Sequence, residues 1–163
     1  MFNDKLLSQA LLVQKLFIAN KLTLATAESC TGGLLGAVLT SISGSSKYYY
    51  GGAVVYANLA KEILTEVNKE IITEKGAVSP EVAEKLALGI KTKLMTSVGM
   101  GITGIAGPTG GTPEKPVGLV YIGIATVNGI KVSKCQFKGN RQEIRIQAVE
   151  EALKLLIQNC FDN

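Results

Sequence analysis

Residues 26 to 33, TAESCTGG, place an acid, a hydroxyl, a thiol, a second hydroxyl and two glycines between two apolar runs. Ser29 and Cys30 are the two kinds of nucleophile that covalent catalysis can use, an oxygen and a sulfur, and Glu28 and Thr31 flank them. Gly32 and Gly33 let the backbone approach a ligand closely, and the amides of Thr31, Gly32 and Gly33 at a helix start can hold a phosphate or an oxyanion. Taken by itself the stretch reads first as a helix cap, with Ser29 or Thr31 as the capping side chain.

A nucleophile needs a base, and the 163 residues contain no histidine. That removes the Ser-His-Asp and Cys-His arrangements and the common zinc sites, leaving Lys, Tyr, Glu, Asp or Cys for acid-base work. Lys61, in YANLAK, follows the expected strand GGAVVY on the first turn of a helix that Asn58 can cap. If that strand neighbours LTLAT, Lys61 and Ser29 share the edge of the sheet where ligand sites of α/β folds collect. A desolvated lysine has a lowered pKa and can take a hydroxyl proton, the Ser-Lys route to an activated nucleophile. The competing readings make Lys61 a solvated charge paired with Glu62 or Glu66, and Cys30 either an inert buried thiol or a rival nucleophile helped by Glu28 and Lys61.

The elements that must position these residues follow from periodicity. Leu6, Leu7, Ala10, Leu11, Val13, Leu16 and Phe17 form a helical apolar face, LTLAT reads as a short buried strand, and the glycine pair opens a helix through Leu39. GGAVVY is a strand and residues 58–67 a helix. Ser79 as a cap with Pro80 behind it starts a helix over 79–95. Residues 97–107 read as a strand running into a glycine turn, followed by the loop 108–118. LVYIGIATV and IKVSKCQF flank Asn128 and Gly129 as a hairpin. Asn140 with Glu143 is a capping-box signature for a helix to about Asn159. GMGITG, residues 99–104, matches GxGxxG, but a loop follows where a dinucleotide site needs a helix, and no acid lies near 120–127. Strands alternating with helices and closing in a hairpin predict a mixed sheet covered on both faces.

Composition bounds the rest. The length suits one domain, 1–163, that buries about two thirds of its unfolded surface. Cys30, Cys135 and Cys160 are an odd, widely spaced set with no metal spacing, which predicts reduced thiols in the cytoplasm. The N-terminus reads as a charged helix and not a signal peptide, and the longest apolar run is too short for a membrane span. The net charge of +4 is modest and its lysines are scattered, a weak nucleic-acid signal that reads first as ordinary surface solvation and also suits a small anionic substrate.

TAESCTGG, the GSS at 44–46, YANLAK, the GAVS at 76–79, GITGIAGPTGG with KPVG, and KGNRQEIRIQA occur in order over nearly the whole chain. Together they resemble the C-terminal domain family of the competence-damage protein CinA, and in particular its stand-alone nicotinamide mononucleotide deamidases. The resemblance implies a three-layer α/β/α fold and hydrolysis of the carboxamide of nicotinamide mononucleotide to nicotinic acid mononucleotide and ammonia, as part of pyridine nucleotide recycling. It implies no metal, no cofactor and a homodimer. Ser29 matches the family's nucleophile and Lys61 its general base, with Tyr56 beside them. Thr103 and Arg145 fall in matching motifs as site-lining residues. Glu28, Cys30, Thr31, Gly32 and Gly33 of the first motif, and Gly104 and Gly107 of the glycine turn, complete the expected substrate-binding set, with Arg145 and the turn amides on the phosphate.

Overall fold

The computed structural model describes residues 2–161. Its elements are α1 (Asp4–Ala19), β1 (Leu24–Glu28), α2 (Leu34–Thr40), β2 (Tyr49–Val54), α3 (Asn58–Thr65), α4 (Lys69–Lys75), α5 (Pro80–Leu94), β3 (Val98–Gly104), β4 (Leu119–Thr126), β5 (Gly129–Gln136) and α6 (Arg141–Phe161). One five-stranded sheet runs in the order β2-β1-β3-β4-β5. β2 and β3 pair parallel with β1 on either side of it, and β3, β4 and β5 are successively antiparallel. Helices α1, α2 and α6 pack over one face and α3, α4 and α5 over the other, each layer with its own apolar cluster. The chain thus has the expected three-layer α/β/α fold around a mixed sheet.

The hairpin and both strong helix starts form as expected. Ser79 Oγ accepts the Val82 amide at 3.3 Å with Pro80 opening α5. Asn140 Oδ1 accepts the amides of Gln142 and Glu143, and the Glu143 carboxylate accepts the Asn140 amide, a complete capping box for α6. GMGITG lies inside β3 and its immediate neighbours. A Cβ on Gly99 would strike the Ala87 carbonyl, and one on Gly101 the Leu86 side chain. Across the ladder Gly101 pairs with Gly123, where a Cβ would strike the Ala83 carbonyl. These glycines let the α5 backbone lie against the sheet, and the stretch is strand throughout rather than the strand-to-helix turn of a dinucleotide fingerprint.

Three features depart from the expected set, beside a two-residue shift of β2 to 49–54. The first strand ends at Glu28, two residues beyond LTLAT, so the acid belongs to the sheet and not to the turn. Asn58 does not cap α3; Ala57 occupies the cap position without a side-chain bond. Helix α4 is additional to the expected set: Asn68 Oδ1 accepts the Glu70 amide at its start, a cap signal hidden in a charged stretch with little apolar periodicity. Among the described residues, no helix is long and apolar enough to cross a membrane.

Candidate active site

The carboxyl ends of the three parallel strands converge, and the candidate residues follow directly from them. Past β1, the Ser29 amide donates to the Ile102 carbonyl of β3 at 2.9 Å, which holds the chain in sheet register one residue longer. The chain then turns through Gly32 (φ 60°) and Gly33 (φ 91°), a left-handed pair that side chains would oppose. The cap of α2 is Glu28, neither Ser29 nor Thr31. Its carboxylate, 2% exposed, accepts the amides of Gly33 at 3.1 Å, Leu35 at 3.0 Å and Gly36 at 2.8 Å. An acid at a helix N-terminus meets both unsatisfied N–H groups and the dipole. Glu28 is therefore committed to the fold, and the Ser29 hydroxyl takes no part in capping.

Past β2, the Val55 amide donates to the Glu28 carbonyl at 2.8 Å, and Tyr56 leads into α3. That helix turns Lys61 inward until it is 2% exposed, while Leu59 and Ile63 face outward. Lys61 Nζ donates to the Tyr56 carbonyl at 3.4 Å, and among the described residues no carboxylate pairs with it, Glu62 and Glu66 included. Burial lowers its pKa from the ordinary 10.5, opposed only by the Cys30 thiol, which would act as a negative charge if ionised. Burial pushes that thiol up to about 12, with the Glu28 charge adding to the rise against the backbone amides of Cys30 and Thr31. The thiol is thus neutral near pH 7, and Cys30 belongs to the apolar cluster beneath α1, α2 and α6.

At the end of β3, Thr103 Oγ1 donates to the Ala77 carbonyl at 2.7 Å, and the chain leaves the strand at Gly104 toward Gly107. Ser29, Cys30, Tyr56, Lys61, Thr103, Gly104 and Gly107 line one cavity of about 270 Å³. It lies outside the carboxyl ends of the parallel strands, where β2 and β3 leave β1 on opposite sides, the usual place for a ligand in such a sheet. Glu28, Thr31, Gly32, Gly33 and Arg145 of the expected set do not line it. Arg145 Nη2 donates to the Thr31 carbonyl at 2.8 Å and Nη1 to Gln142 Oε1 at 3.3 Å, so the guanidinium braces the turn that carries Ser29.

The sequence reading missed Arg141, Asn58, Thr109 and Gly110, which also line the cavity. Arg141 stands one helical turn before Arg145 in the same motif. Spacing puts both on one face of α6, and only the packing of that helix separates the one at the cavity from the one behind the turn.

The sequence profile of the CinA C-terminal domain matches residues 7–160. The chain belongs to the CinA C-terminal domain family. It is 48% identical over 145 residues, 88% of its length, to a putative competence-damage inducible protein of Halothermothrix orenii, and covers 35% of that protein. It is 51% identical over 138 residues, 85% of its length, to the protein of the same description in Moorella thermoacetica, covering 33% of it. The chain thus spans about a third of the length of the curated relatives it matches. The crystal structure of the competence/damage inducible protein CihA from Agrobacterium tumefaciens superposes with a TM-score of 0.94 at 38% identity, covering 96% of each chain. A CinA superfamily protein from Escherichia coli superposes with a TM-score of 0.92 at 30% identity, covering 98% of this chain and 94% of its own.

Proposed function

We propose that this chain is a single amidohydrolase domain that deamidates nicotinamide mononucleotide to nicotinic acid mononucleotide and ammonia in the cytoplasm, within pyridine nucleotide recycling. One observation carries the reading. A lysine 2% exposed, with no carboxylate partner among the described residues, shares a cavity with a serine that caps nothing, beside a thiol held protonated. Ser29 Oγ attacks the carboxamide carbon as its proton passes to neutral Lys61, and backbone N–H groups of the 106–110 turn, which lines the same cavity, hold the oxyanion; the Gly32 and Gly33 amides are already bonded to the Ser29 carbonyl and the Glu28 carboxylate. The tetrahedral intermediate collapses, the C–N bond breaks, and ammonia leaves with the proton that Lys61 returns. Water, deprotonated by the same lysine, then attacks the acyl-enzyme ester, releasing the carboxylate and restoring Ser29. Tyr56 and Thr103 line the same cavity, Tyr56 through a backbone carbonyl that orients the lysine.

The reading includes a homodimer. Leu59 and Ile63, one turn apart on α3, are 63% and 60% exposed. An apolar face of this kind suits a second copy packed about a two-fold axis.

The test is ammonia release from a panel of nucleotides and amides: nicotinamide mononucleotide, its riboside, nicotinamide, glutamine and asparagine. The mononucleotide is expected to be turned over best. Preference for another amide would remove the assigned substrate, and release from none would leave a binding module.

A further inference from the structure

The cavity that holds Ser29 and Lys61 carries one permanently charged side chain, Arg141. Among the described residues that line it, Lys61 is the other basic group and none is an acid. Arg141, the first residue of α6, reaches across the mouth: Nη1 donates to the Gly107 carbonyl at 2.8 Å and Nη2 to the Tyr56 hydroxyl at 2.6 Å. Both partners are neutral, and among the described residues no carboxylate pairs with it. A guanidinium presents five donors in a planar fork, and its bonds to an anion are about twice as strong as those to neutral acceptors. Arg145 is placed differently, donating to the Thr31 carbonyl and Gln142 and lying outside the cavity lining.

We propose that Arg141, and not Arg145, receives the phosphate monoester of the substrate, and that the Tyr56 hydroxyl holds its guanidinium toward the cavity until the anion takes its place. The proposal rests on the nucleotide reading above, in which the phosphate lies at the end of the substrate remote from the carboxamide. The exchange leaves the number of bonds unchanged and replaces a neutral acceptor with a charged one. Tyr56 gives up a bond it can remake with water, since its side chain is 58% exposed.

Calorimetric binding of nicotinic acid mononucleotide and nicotinic acid riboside to wild type, Arg141→Gln and Arg145→Gln tests this independently of turnover. Arg141→Gln is expected to weaken the mononucleotide by about 10- to 100-fold and the riboside by less than about 3-fold. Arg145→Gln is expected to affect the two ligands alike, because it loosens a turn. Inorganic phosphate should compete with the mononucleotide on wild type and lose that competition in Arg141→Gln. Equal losses for both ligands in Arg141→Gln, phosphate selectivity lost only in Arg145→Gln, or no mononucleotide binding by wild type would each overturn the proposal. A wild type that binds the mononucleotide through Arg141 but releases no ammonia from the amide would overturn the deamidase reading and leave this one standing.

Discussion

Lys61 contradicts the ordinary expectation for its type, and its chemistry follows from that. The usual rule would bury Leu59 and Ile63 and expose the lysine; α3 does the reverse. Burial lowers the folded-state pKa below 10.5, so the charged form costs the fold. Between the folded value and 10.5 the unfolded chain binds the extra proton, and stability rises with pH across that window. The penalty is complete below the folded value and gone above 10.5. Lys61→Met should therefore unfold at higher urea than wild type at pH 7, with the advantage shrinking toward pH 10.5; a pH-independent difference would show that the lysine is not desolvated. Turnover should rise with pH along a limb below 10.5. Lys61→Arg, which cannot give up its proton near neutrality, should lose at least about a hundredfold in kcat. The sequence exposed Lys61 as a candidate through its place after a strand. Its burial was not legible, because no periodicity rule turns a charged residue inward while two apolar neighbours face out.

At the scale of elements, Glu28 and the glycines of β3 decide where the site sits. Glu28→Gln replaces an acceptor facing three amides with a group that presents one donor to them, a buried mismatch worth about 2–3 kcal/mol. Urea unfolding should read that loss, and kcat should fall with it because the same turn carries Ser29; unchanged stability would mean the carboxylate is not the cap. Gly99→Ala drives a methyl into the Ala87 carbonyl of α5 and should cost about 3 kcal/mol or more, read by thermal unfolding, with wild-type stability contradicting the close packing. The Ser79 cap, the Asn140–Glu143 capping box, the hairpin and the rejection of GMGITG as a nucleotide fingerprint were all legible, since each depends chiefly on residues close in the chain. The role of Glu28 was not. Its acceptor pattern appears only once β1 is known to run two residues further than its apolar stretch. Arg141 was hidden for the same kind of reason, sharing a helix face with Arg145 until the docking of α6 is fixed.

For the molecule as a whole, the strand order was implied only in class, because a mixed sheet can be assembled in several orders and local signals do not choose among them. The observed order brings three strand ends together and leaves β2 at one edge, while α3 presents Leu59 and Ile63 outward. If that face carries the homodimer, Ile63→Glu should convert a dimer to a monomer in analytical ultracentrifugation while leaving the fold intact; a wild-type monomer would remove the interface. The central claim, a Ser-Lys deamidase, is tested most directly by ammonia release from nicotinamide mononucleotide with wild type, Ser29→Ala and Cys30→Ala measured side by side. The account predicts release by wild type, a loss of about a thousandfold or more in Ser29→Ala, and Cys30→Ala within a few fold of wild type. Undiminished turnover by Ser29→Ala, abolished turnover by Cys30→Ala, or no ammonia from the wild-type protein would contradict it.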